Sequence, residues 1–328
     1  MTGIGIVGTG KRAENFIKIY SKFPDVEISG VLGRSQQRVI ELSKKYNIDS
    51  FTDFDRFLSN NPNGICVATL PELHPKYSIK ALESGINVLC EKPMALNLND
   101  AKKMLEAAKT SKKVLMIGFT LRFLDIFQKI KKIIDSGELG KIKSVWFKDG
   151  TFYPDRKWML EDKISGGITL EYSINKIDLI SWFINSQASA VYAQSITDIY
   201  SPNGNHTDFG IIKFQNGSLG SFSSSFSLNI PNYSDFGIIG TQKSLVIKNN
   251  RIFIGGHHTK PNKLRSISTQ IPKIKSSKND SLEKQLASFV KSCNKEPVEI
   301  PTGCDGYAAL EISLACINSA KQNKVIYL

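Results

Sequence analysis

The sequence lacks the long apolar run that a transmembrane helix needs. In its 328 residues there is no stretch of about eighteen consecutive apolar residues. The opening residues, Met1 to Gly5, lead directly into an apolar strand and carry neither a basic leader region nor a cleavage site. We therefore expect neither a membrane-spanning segment nor a secretory leader.

Cysteine is scarce and irregularly spaced. The chain has 5 cysteines, an odd number, and no C-x-x-C pair. Disulfide frameworks use paired cysteines, and structural zinc sites use closely spaced ones. The pattern argues against both, favours a reducing, cytoplasmic setting, and predicts no metal site.

Acidic residues are fewer than basic ones, which gives a formal net charge of +13. Such a balance could attract nucleic acid or an anionic small molecule. Most lysines lie on amphipathic helices, where they form a solvated face. The one local concentration lies in a segment rich in proline and serine that we interpret as a surface loop, so we expect no nucleic-acid partner. Its basic residues are Lys260, Lys263, Arg265, Lys273, Lys275 and Lys278.

What the chain does have, at its start, is a glycine-rich turn between a strand and a helix. The strand Ile4 to Val7 runs into Gly8-Thr9-Gly10-Lys11-Arg12-Ala13, and a helix follows to Tyr20. In a G-x-G-x-x-A turn, the first glycine makes the tight bend, the second lets the backbone approach a pyrophosphate, and the small third residue allows close packing. The helix N-terminus then presents unpaired N–H groups to the phosphates.

The second strand, Val26 to Leu32, ends without an acidic residue. An NAD site usually places a carboxylate there to hold the ribose hydroxyls. This chain has Arg34 and Ser35 instead, with Arg38 one helical turn further on. That set suits a 2′-phosphate and favours NADP(H) over NAD(H), although a basic helix start would give the same pattern.

Strands and helices continue to alternate as far as residue 120. Apolar strands at Ile65 to Ala68, Ile86 to Cys90 and Val114 to Gly118 are separated by helical patterns. This alternation is typical of a parallel, doubly wound sheet. The sequence therefore predicts a dinucleotide-binding Rossmann domain over residues 1–120.

The short segment Glu91-Lys92-Pro93 follows one of these buried strands. In open α/β sheets, ligands bind outside the carboxyl ends of the strands. A lysine there is placed for proton transfer, and the proline stiffens the turn that presents it. Taken alone, these three residues favour a surface lysine at a strand-to-helix turn, and the motifs on either side favour the functional interpretation.

Beyond residue 120 the pattern changes to a series of strands. We predict strands at Ile142 to Gly150 and, between residues 191 and 247, five more, with an Asn216-Gly217 hairpin turn among them. The second domain, residues 121–328, is therefore predicted to be an α/β domain for substrate binding and oligomerisation. Tyr153, Arg156, Lys157 and Trp158 precede the Gly166-Gly167 pair and either line the substrate side or lie on a surface loop.

These motifs together resemble the Gfo/Idh/MocA (glucose-fructose oxidoreductase, inositol dehydrogenase, rhizopine catabolism) family. The matching segments run along the whole chain in the order that the family has. They are Gly8-Thr9-Gly10, Thr69 to His74, Glu91-Lys92-Pro93, Phe119 to Phe123, Gly137 to Lys141, Gly166-Gly167 and Asp305 to Glu311.

The resemblance implies a Rossmann domain followed by an α/β domain with a large open, mostly antiparallel sheet. It implies hydride transfer between a nicotinamide and a carbinol or ketone of a sugar, cyclitol or nucleotide-sugar, with Lys92 assisting proton transfer. By the same resemblance, Thr69, His74, Glu91, Lys92 and Pro93 join the glycine-rich turn at the cofactor. Substrate contacts are then expected from Lys92, Arg122, Tyr153, Trp158, Glu171 and Asn175.

The chain departs from the family pattern on one helix. Active members commonly carry Asp and, four residues later, His, which share a helical face. Here those positions are Glu171 and Asn175. An amide forms hydrogen bonds but exchanges no proton at neutral pH, so acid–base duty falls on Lys92, with Glu171 tuning it.

The missing histidine leaves other functions open. The same scaffold could serve as a nucleotide- or sugar-sensing regulator without turnover, or, less in keeping with the motifs, as a linear-tetrapyrrole reductase. The family's open sheet is often covered by another subunit, so we also expect a homo-oligomer, a dimer or a tetramer.

Overall fold

The computed structural model describes residues 1–151, 162–197, 205–228, 233–248, 251–256, 265–267 and 278–328. They form two compact units, of which the first comprises Met1–Thr120 with Leu282–Tyr307 and the second Leu121–Ser281 with Ala308–Leu328. The sequence prediction assigned everything after residue 120 to the second domain. In the structure, the segment 282–307 belongs to the first unit instead, because its apolar side chains pack there. Phe289 is fully buried, and the Leu286 carbonyl accepts a hydrogen bond from the Tyr20 hydroxyl.

The first unit is built on a six-stranded sheet in the order β3-β2-β1-β4-β5-β6. Every neighbouring pair is parallel, as expected when helices connect successive strands. The strands are β1 (Thr2–Val7), β2 (Val26–Leu32), β3 (Ser50–Phe51), β4 (Gly64–Val67), β5 (Asn87–Cys90) and β6 (Leu115–Ile117). Their order is that of a dinucleotide-binding fold, whose ligand crevice lies where the order reverses at β1 and β4.

Helices cover this sheet. They are α1 (Lys11–Tyr20), α2 (Gln36–Tyr46), α3 (Phe54–Leu58), α4 (His74–Glu83) and α5 (Leu98–Ser111). The central strands β4 and β5 are buried along their whole length, which explains their continuous apolar sequences. Side-chain caps define where α2, α3 and α5 begin, with Ser35, Asp53 and Asn97 each accepting a backbone N–H.

The second unit contains a nine-stranded sheet in the order β14-β13-β12-β11-β7-β10-β9-β8-β15. All neighbouring pairs are antiparallel except β7 and β10. The strands are β7 (Ile142–Gly150), β8 (Ala188–Thr197), β9 (Asn205–Phe214), β10 (Leu219–Ser225), β11 (Tyr233–Gly240), β12 (Lys243–Lys248), β13 (Arg251–Gly256), β14 (Arg265–Ile267) and β15 (Ile326–Tyr327). The predicted Asn216-Gly217 turn joins β9 to β10, and Gly217 adopts a φ of +80°.

One face of this sheet carries its own helices. They are α6 (Asp125–Asp135) and α8 (Ile174–Ile184). The short helix α7 (Asp162–Ser165) ends just before the Gly166-Gly167 pair, and α9 (Lys278–Cys293) and α10 (Gly303–Gln322) each begin in one unit and continue in the other. The core under α6 and α8 is aromatic: the Phe236 ring lies 5.6 Å from Phe127, 5.5 Å from Phe147 and 5.7 Å from Phe183, measured between centroids. Such edge-on contacts stabilise the layer beyond simple area burial.

The predicted fold class, a Rossmann domain plus an α/β domain with a large, mostly antiparallel sheet, is confirmed. One local prediction was wrong: the basic segment is not all loop, since Arg265–Ile267 pairs with β13 and α9 begins at Lys278. Lys260, Lys263, Lys273 and Lys275 lie outside the described residues. Over the part of the chain that the structure describes, no helix is both long and apolar enough to cross a bilayer.

Candidate functional site

The glycine-rich turn after β1 is as tight as the sequence predicts. Gly8 has a φ of +125°, and a Cβ added there would lie 2.4 Å from the carbonyl oxygen of Ala68. Only glycine therefore fits at that position. A Cβ on Gly10 would meet nothing within 4 Å, so the backbone at Gly10 is open to a ligand.

Helix α1 starts directly at this turn. Gly10 is its N-cap residue, and among the described residues no side chain caps the helix. Lys11 is exposed and Thr9 is half-buried. Ala13 is fully buried, as the close packing of a G-x-G-x-x-A turn requires. The turn, its open backbone and the first N–H groups of α1 fit a pyrophosphate.

Arg12, which the sequence places at the cofactor, joins the glycine-rich turn to the end of β5. Its Nε donates to Glu91 Oε1 at 2.5 Å and its Nη2 donates to Thr120 Oγ1 at 2.7 Å. The Thr120 hydroxyl in turn donates to Gln285 Oε1 at 2.7 Å. Sequence reasoning missed Thr120 and Gln285, and no local signal marks Gln285, which is far away in the chain and fully buried.

Lys92 follows Glu91, the partner of Arg12, at the carboxyl end of β5. Glu91 and Pro93 on either side are buried, and Lys92 itself is half-buried. The Lys92–Pro93 peptide bond is cis. Gly118 packs against Glu91, since a Cβ on it would lie 3.1 Å from the Glu91 carboxyl carbon. The backbone that presents Lys92 is thus enclosed on both sides.

His74 connects the loops that follow β4 and β5. Its Nδ1 is 2.8 Å from the Pro93 carbonyl oxygen and its Nε2 is 3.2 Å from the Thr69 carbonyl oxygen. Two carbonyl acceptors favour an imidazolium, but burial outweighs them and lowers the pKa of His74. The neutral ring has one N–H, and with that proton on Nδ1 the ring donates the shorter of the two bonds, to the Pro93 carbonyl oxygen.

The candidate 2′-phosphate site lies at the end of β2. Arg34, Ser35 and Arg38 are all exposed there. The Ser35 hydroxyl accepts the Arg38 backbone N–H at 3.5 Å, so Ser35 is the N-cap residue of α2. The first turn of α2 contains no acidic residue, which leaves the positive end of the helix uncompensated.

In the second unit, Glu171 and Asn175 lie on a widened helical turn. Gly166 and Gly167 adopt φ values of +79° and +73°, and a π-helical turn then spans Thr169–Ser173 before α8 begins at Ile174. Glu171 is in the middle of that turn and Asn175 follows it, both half-buried. Single π-turns are rare and occur frequently at functional sites.

Arg122 is held by protein groups. It is 6% exposed, and its Nε and Nη2 donate to the two carboxylate oxygens of Asp178 at 2.8 Å and 2.5 Å. The guanidinium also lies 5.2 Å from the Trp182 ring. The two remaining substrate candidates, Tyr153 and Trp158, lie outside the described residues, as do Arg156 and Lys157.

A buried cluster beside Asn175 was missed by sequence reasoning. Lys176 Nζ lies 2.9 Å from Asp149 Oδ2 and 3.0 Å from the centroid of the Tyr172 ring. Burial, and secondarily the Asp149 carboxylate, raises the pKa of the Tyr172 hydroxyl. The i, i+4 spacing of Tyr172 and Lys176 is the only sequence signal that could have paired them.

Known proteins share both halves of this architecture. Residues 2–119 match the family model described as an oxidoreductase family with an NAD-binding Rossmann fold, and residues 127–246 match the GFO/IDH/MocA C-terminal domain. Glucose-6-phosphate 3-dehydrogenase of Bacillus subtilis is 30% identical over 190 residues, 56% of this chain and 54% of that protein. Myo-inositol 2-dehydrogenase of Thermotoga maritima is 24% identical over 225 residues, 66% of each chain.

These alignments span about half to two thirds of the curated relatives. Among solved structures, the WlbA dehydrogenase of Bordetella pertussis in complex with NADH and UDP-GlcNAcA superposes with a TM-score of 0.88 at 20% identity. That match covers 100% of this chain and 97% of the other, and it shows a common fold. With its two domain matches in sequence order, the chain belongs to the GFO/IDH/MocA family of oxidoreductases.

Proposed function

We propose that the protein is a nicotinamide-dependent oxidoreductase that interconverts a carbinol and a ketone on a sugar, cyclitol or nucleotide-sugar. The observation that carries this proposal is the position of Lys92. It lies half-buried at the carboxyl end of β5, in the same parallel sheet whose β1 ends in the glycine-rich turn. Ligands of such sheets bind at that edge, and a lysine there can exchange a proton with a reacting oxygen.

The bound nicotinamide would supply the hydride chemistry, and the side chains of the chain would do the rest. Lys92 donates a proton to the substrate oxygen during reduction and accepts it during oxidation. Glu171 and Asn175 hold substrate hydroxyls through hydrogen bonds. Asn175 moves no proton, because an amide does not titrate near neutral pH.

The family relatives support the substrate class. The two curated relatives are named for a sugar phosphate and a cyclitol, and the superposed dehydrogenase is described with a nucleotide-sugar. All three of these small molecules carry secondary hydroxyls next to one another on a ring. A half-buried carboxylate and amide on one helical segment suit that pattern of hydroxyls.

For the cofactor, we propose NADP(H) in preference to NAD(H). Arg34 and Arg38 are exposed beside the N-terminus of α2, and Ser35 is its cap. A 2′-phosphate there would meet two guanidinium groups and a helix N-terminus. The superposed dehydrogenase holds NADH, so the preference rests on these residues alone.

We also propose a homo-oligomer that forms through the open face of the nine-stranded sheet. Alternate residues of neighbouring strands expose large apolar side chains there: Tyr192 on β8 pairs across the ladder with Ile211 on β9, which is 53% exposed. Phe209, two residues along β9, is 52% exposed. They line a groove of about 520 Å³ together with Trp146. Contiguous exposed apolar surface of this kind is typical of protein interfaces.

One observation favours a second function, a sensor without turnover. Asn175 occupies the position where active relatives commonly carry a histidine, so the acid–base machinery has one titratable group fewer. In that case the protein binds NADPH and a sugar and never consumes either.

The experiment is a turnover assay on the full chain in both directions. Reduction is measured with NADPH or NADH and with keto-sugars and inosose as substrates. Oxidation is measured with the oxidised cofactors and with myo-inositol, glucose 6-phosphate and UDP-GlcNAcA. Consumption or formation of reduced nicotinamide supports the oxidoreductase. Tight NADPH binding by fluorescence with no turnover on any substrate supports the sensor instead.

A further inference from the structure

A buried carboxylate on β9 contacts both ends of the π-turn that carries Glu171. Thr169 Oγ1, at the start of the turn, donates to Asp208 Oδ2 at 2.6 Å. Ser173 Oγ, at its end, donates to the same oxygen at 3.2 Å. All three residues are at most 4% exposed, so water does not compete for these bonds.

The second oxygen of this carboxylate is held from the sheet. Ser195 on β8 is the cross-strand neighbour of Asp208, and its hydroxyl donates to Oδ1 at 2.8 Å. Donors from the turn therefore reach one oxygen and a donor from the sheet reaches the other. A buried carboxylate is costly unless it is hydrogen-bonded. The bond from Thr169 has the short length of a charge-assisted hydrogen bond, and those from Ser195 and Ser173 are longer.

The turn needs such support because of its geometry. The Ile174 N–H donates to the Thr169 carbonyl, five residues back, which widens the helix by one residue at Glu171. If this turn had one residue fewer, as an ordinary α-helical turn does, the residues after it would be rotated around the helix axis by about 100° from their present orientation. Glu171 and Asn175 share their present orientation only while the extra residue is retained.

We propose that Asp208 is a positioning residue, which orients Glu171 and Asn175 by holding the π-turn at both ends. This inference rests on the substrate role proposed for Glu171 and Asn175. Asp208 itself is assigned no contact with the substrate. Its effect passes through Thr169 and Ser173, which lie two residues before and two residues after Glu171.

The chain offers matched variants for a test. Thr169→Val and Ser173→Ala each remove one turn-side donor, Thr169→Ser retains the hydroxyl, and Ser195→Ala removes the sheet-side donor from the same carboxylate. A role limited to satisfying a buried charge predicts equal effects from all three deletions. Positioning predicts effects from the two turn-side deletions only.

The first readout, backbone hydrogen exchange, does not depend on catalysis. We expect Thr169→Val and Ser173→Ala to speed exchange of the amides around Ile174 by about tenfold, the equivalent of ~1.4 kcal/mol. Thr169→Ser and Ser195→Ala should exchange like the unmodified protein. Equal acceleration by Ser195→Ala, or none by Thr169→Val, would overturn the proposal.

The second readout is kinetic and uses myo-inositol, glucose 6-phosphate and UDP-GlcNAcA with NADP⁺. The measurement uses any of these substrates that the unmodified protein turns over. For that substrate, Thr169→Val should raise KM by about tenfold and leave the Kd for NADPH unchanged. Thr169→Ser should have the KM of the unmodified protein. An unchanged KM in Thr169→Val contradicts the positioning role. If the unmodified protein turns over none of these three and no substrate of the wider panel with either cofactor, the proposed function fails, while the exchange experiment still decides whether Asp208 holds the turn.

Discussion

His74 acts on the protein backbone in this structure, since both ring nitrogens face main-chain carbonyl oxygens and the residue is 1% exposed. Family resemblance places it among the cofactor residues. The geometry gives a different expectation, in which its Nδ1–H holds the Pro93 carbonyl and thereby the backbone that follows Lys92.

We predict that His74→Asn retains most of the turnover, because the asparagine Nδ2 can replace the donor at Nδ1. His74→Gln puts its donor near Nε2 and should lower turnover by about tenfold or more, since small displacements of a reacting group are costly. The Kd for NADPH, measured by fluorescence, should stay nearly constant in both. A direct cofactor contact would instead raise that Kd in both variants.

Arg34 is the residue on which the proposed cofactor preference depends most. Arg34→Asp should weaken NADPH binding and spare NADH, because it exchanges a phosphate partner for a carboxylate suited to a free ribose hydroxyl. Lys44→Asp, at the other end of α2, makes the same change of charge as a control. If the unmodified protein prefers NADH about tenfold, which is ~1.4 kcal/mol, the assignment is wrong.

At the scale of elements, regular periodicity made the fold predictable. The bounds of β2 and β7 agree with the sequence prediction, and β1, β4 and β5 differ by only a few residues. By contrast β3, at two residues, is too short to show any period, and β14 forms only through its pairing with β13. Local patterns carry no information about pairings of that kind.

The candidate site divides in the same way. Glycine-rich turns and strand ends have local signatures, so Gly8, Gly10 and Lys92 could be located from the sequence. The bonds from Arg12 to Glu91 and from Thr169 to Asp208 join residues that are 79 and 39 positions apart. They depend on the packing of separate elements, and the π-turn has no sequence signature of its own.

Glu14 on α1 links that helix to the last turn of α2. Its carboxylate accepts from Lys45 Nζ and from the Tyr46 hydroxyl, both at 2.8 Å. The hydrogen bonds from Lys45 and Tyr46 lower the pKa of Glu14 to about 2, from 4.5. Because the folded-state pKa is the lower one, the stabilisation is present above about pH 4.5 and is lost as the pH falls towards 2.

We therefore predict that Glu14→Gln lowers the free energy of unfolding by about 1 kcal/mol at pH 7, a modest value because water screens the partly exposed pair. The difference from the unmodified protein should shrink at pH 3. Urea denaturation at both pH values measures it, with Glu41→Gln on the exposed face of α2 as the charge-matched control. A deficit that is the same at both pH values would contradict the link.

At the scale of the whole molecule, the open sheet face decides the proposed assembly. Ile211→Glu puts a charge in the middle of the exposed apolar patch, where an interface would bury it unpaired. We predict an oligomer for the unmodified protein and a shift towards monomer for this variant, measured by light scattering at micromolar concentration. Thr110→Glu, an equal change of charge on α5, should leave the mass unaltered, and a monomeric unmodified protein would rule the interface out.

The most direct test of the proposed function is the turnover of Lys92→Ala. General acid–base groups contribute about 10²–10⁴-fold, and the phosphates of the cofactor would be held by the glycine-rich turn instead. We predict that kcat falls by about that range while the Kd for NADPH changes by less than about twofold. Lys76→Ala, an exposed lysine on α4, serves as the control and should keep normal turnover. An active protein whose Lys92→Ala variant keeps full turnover would contradict the role proposed for Lys92.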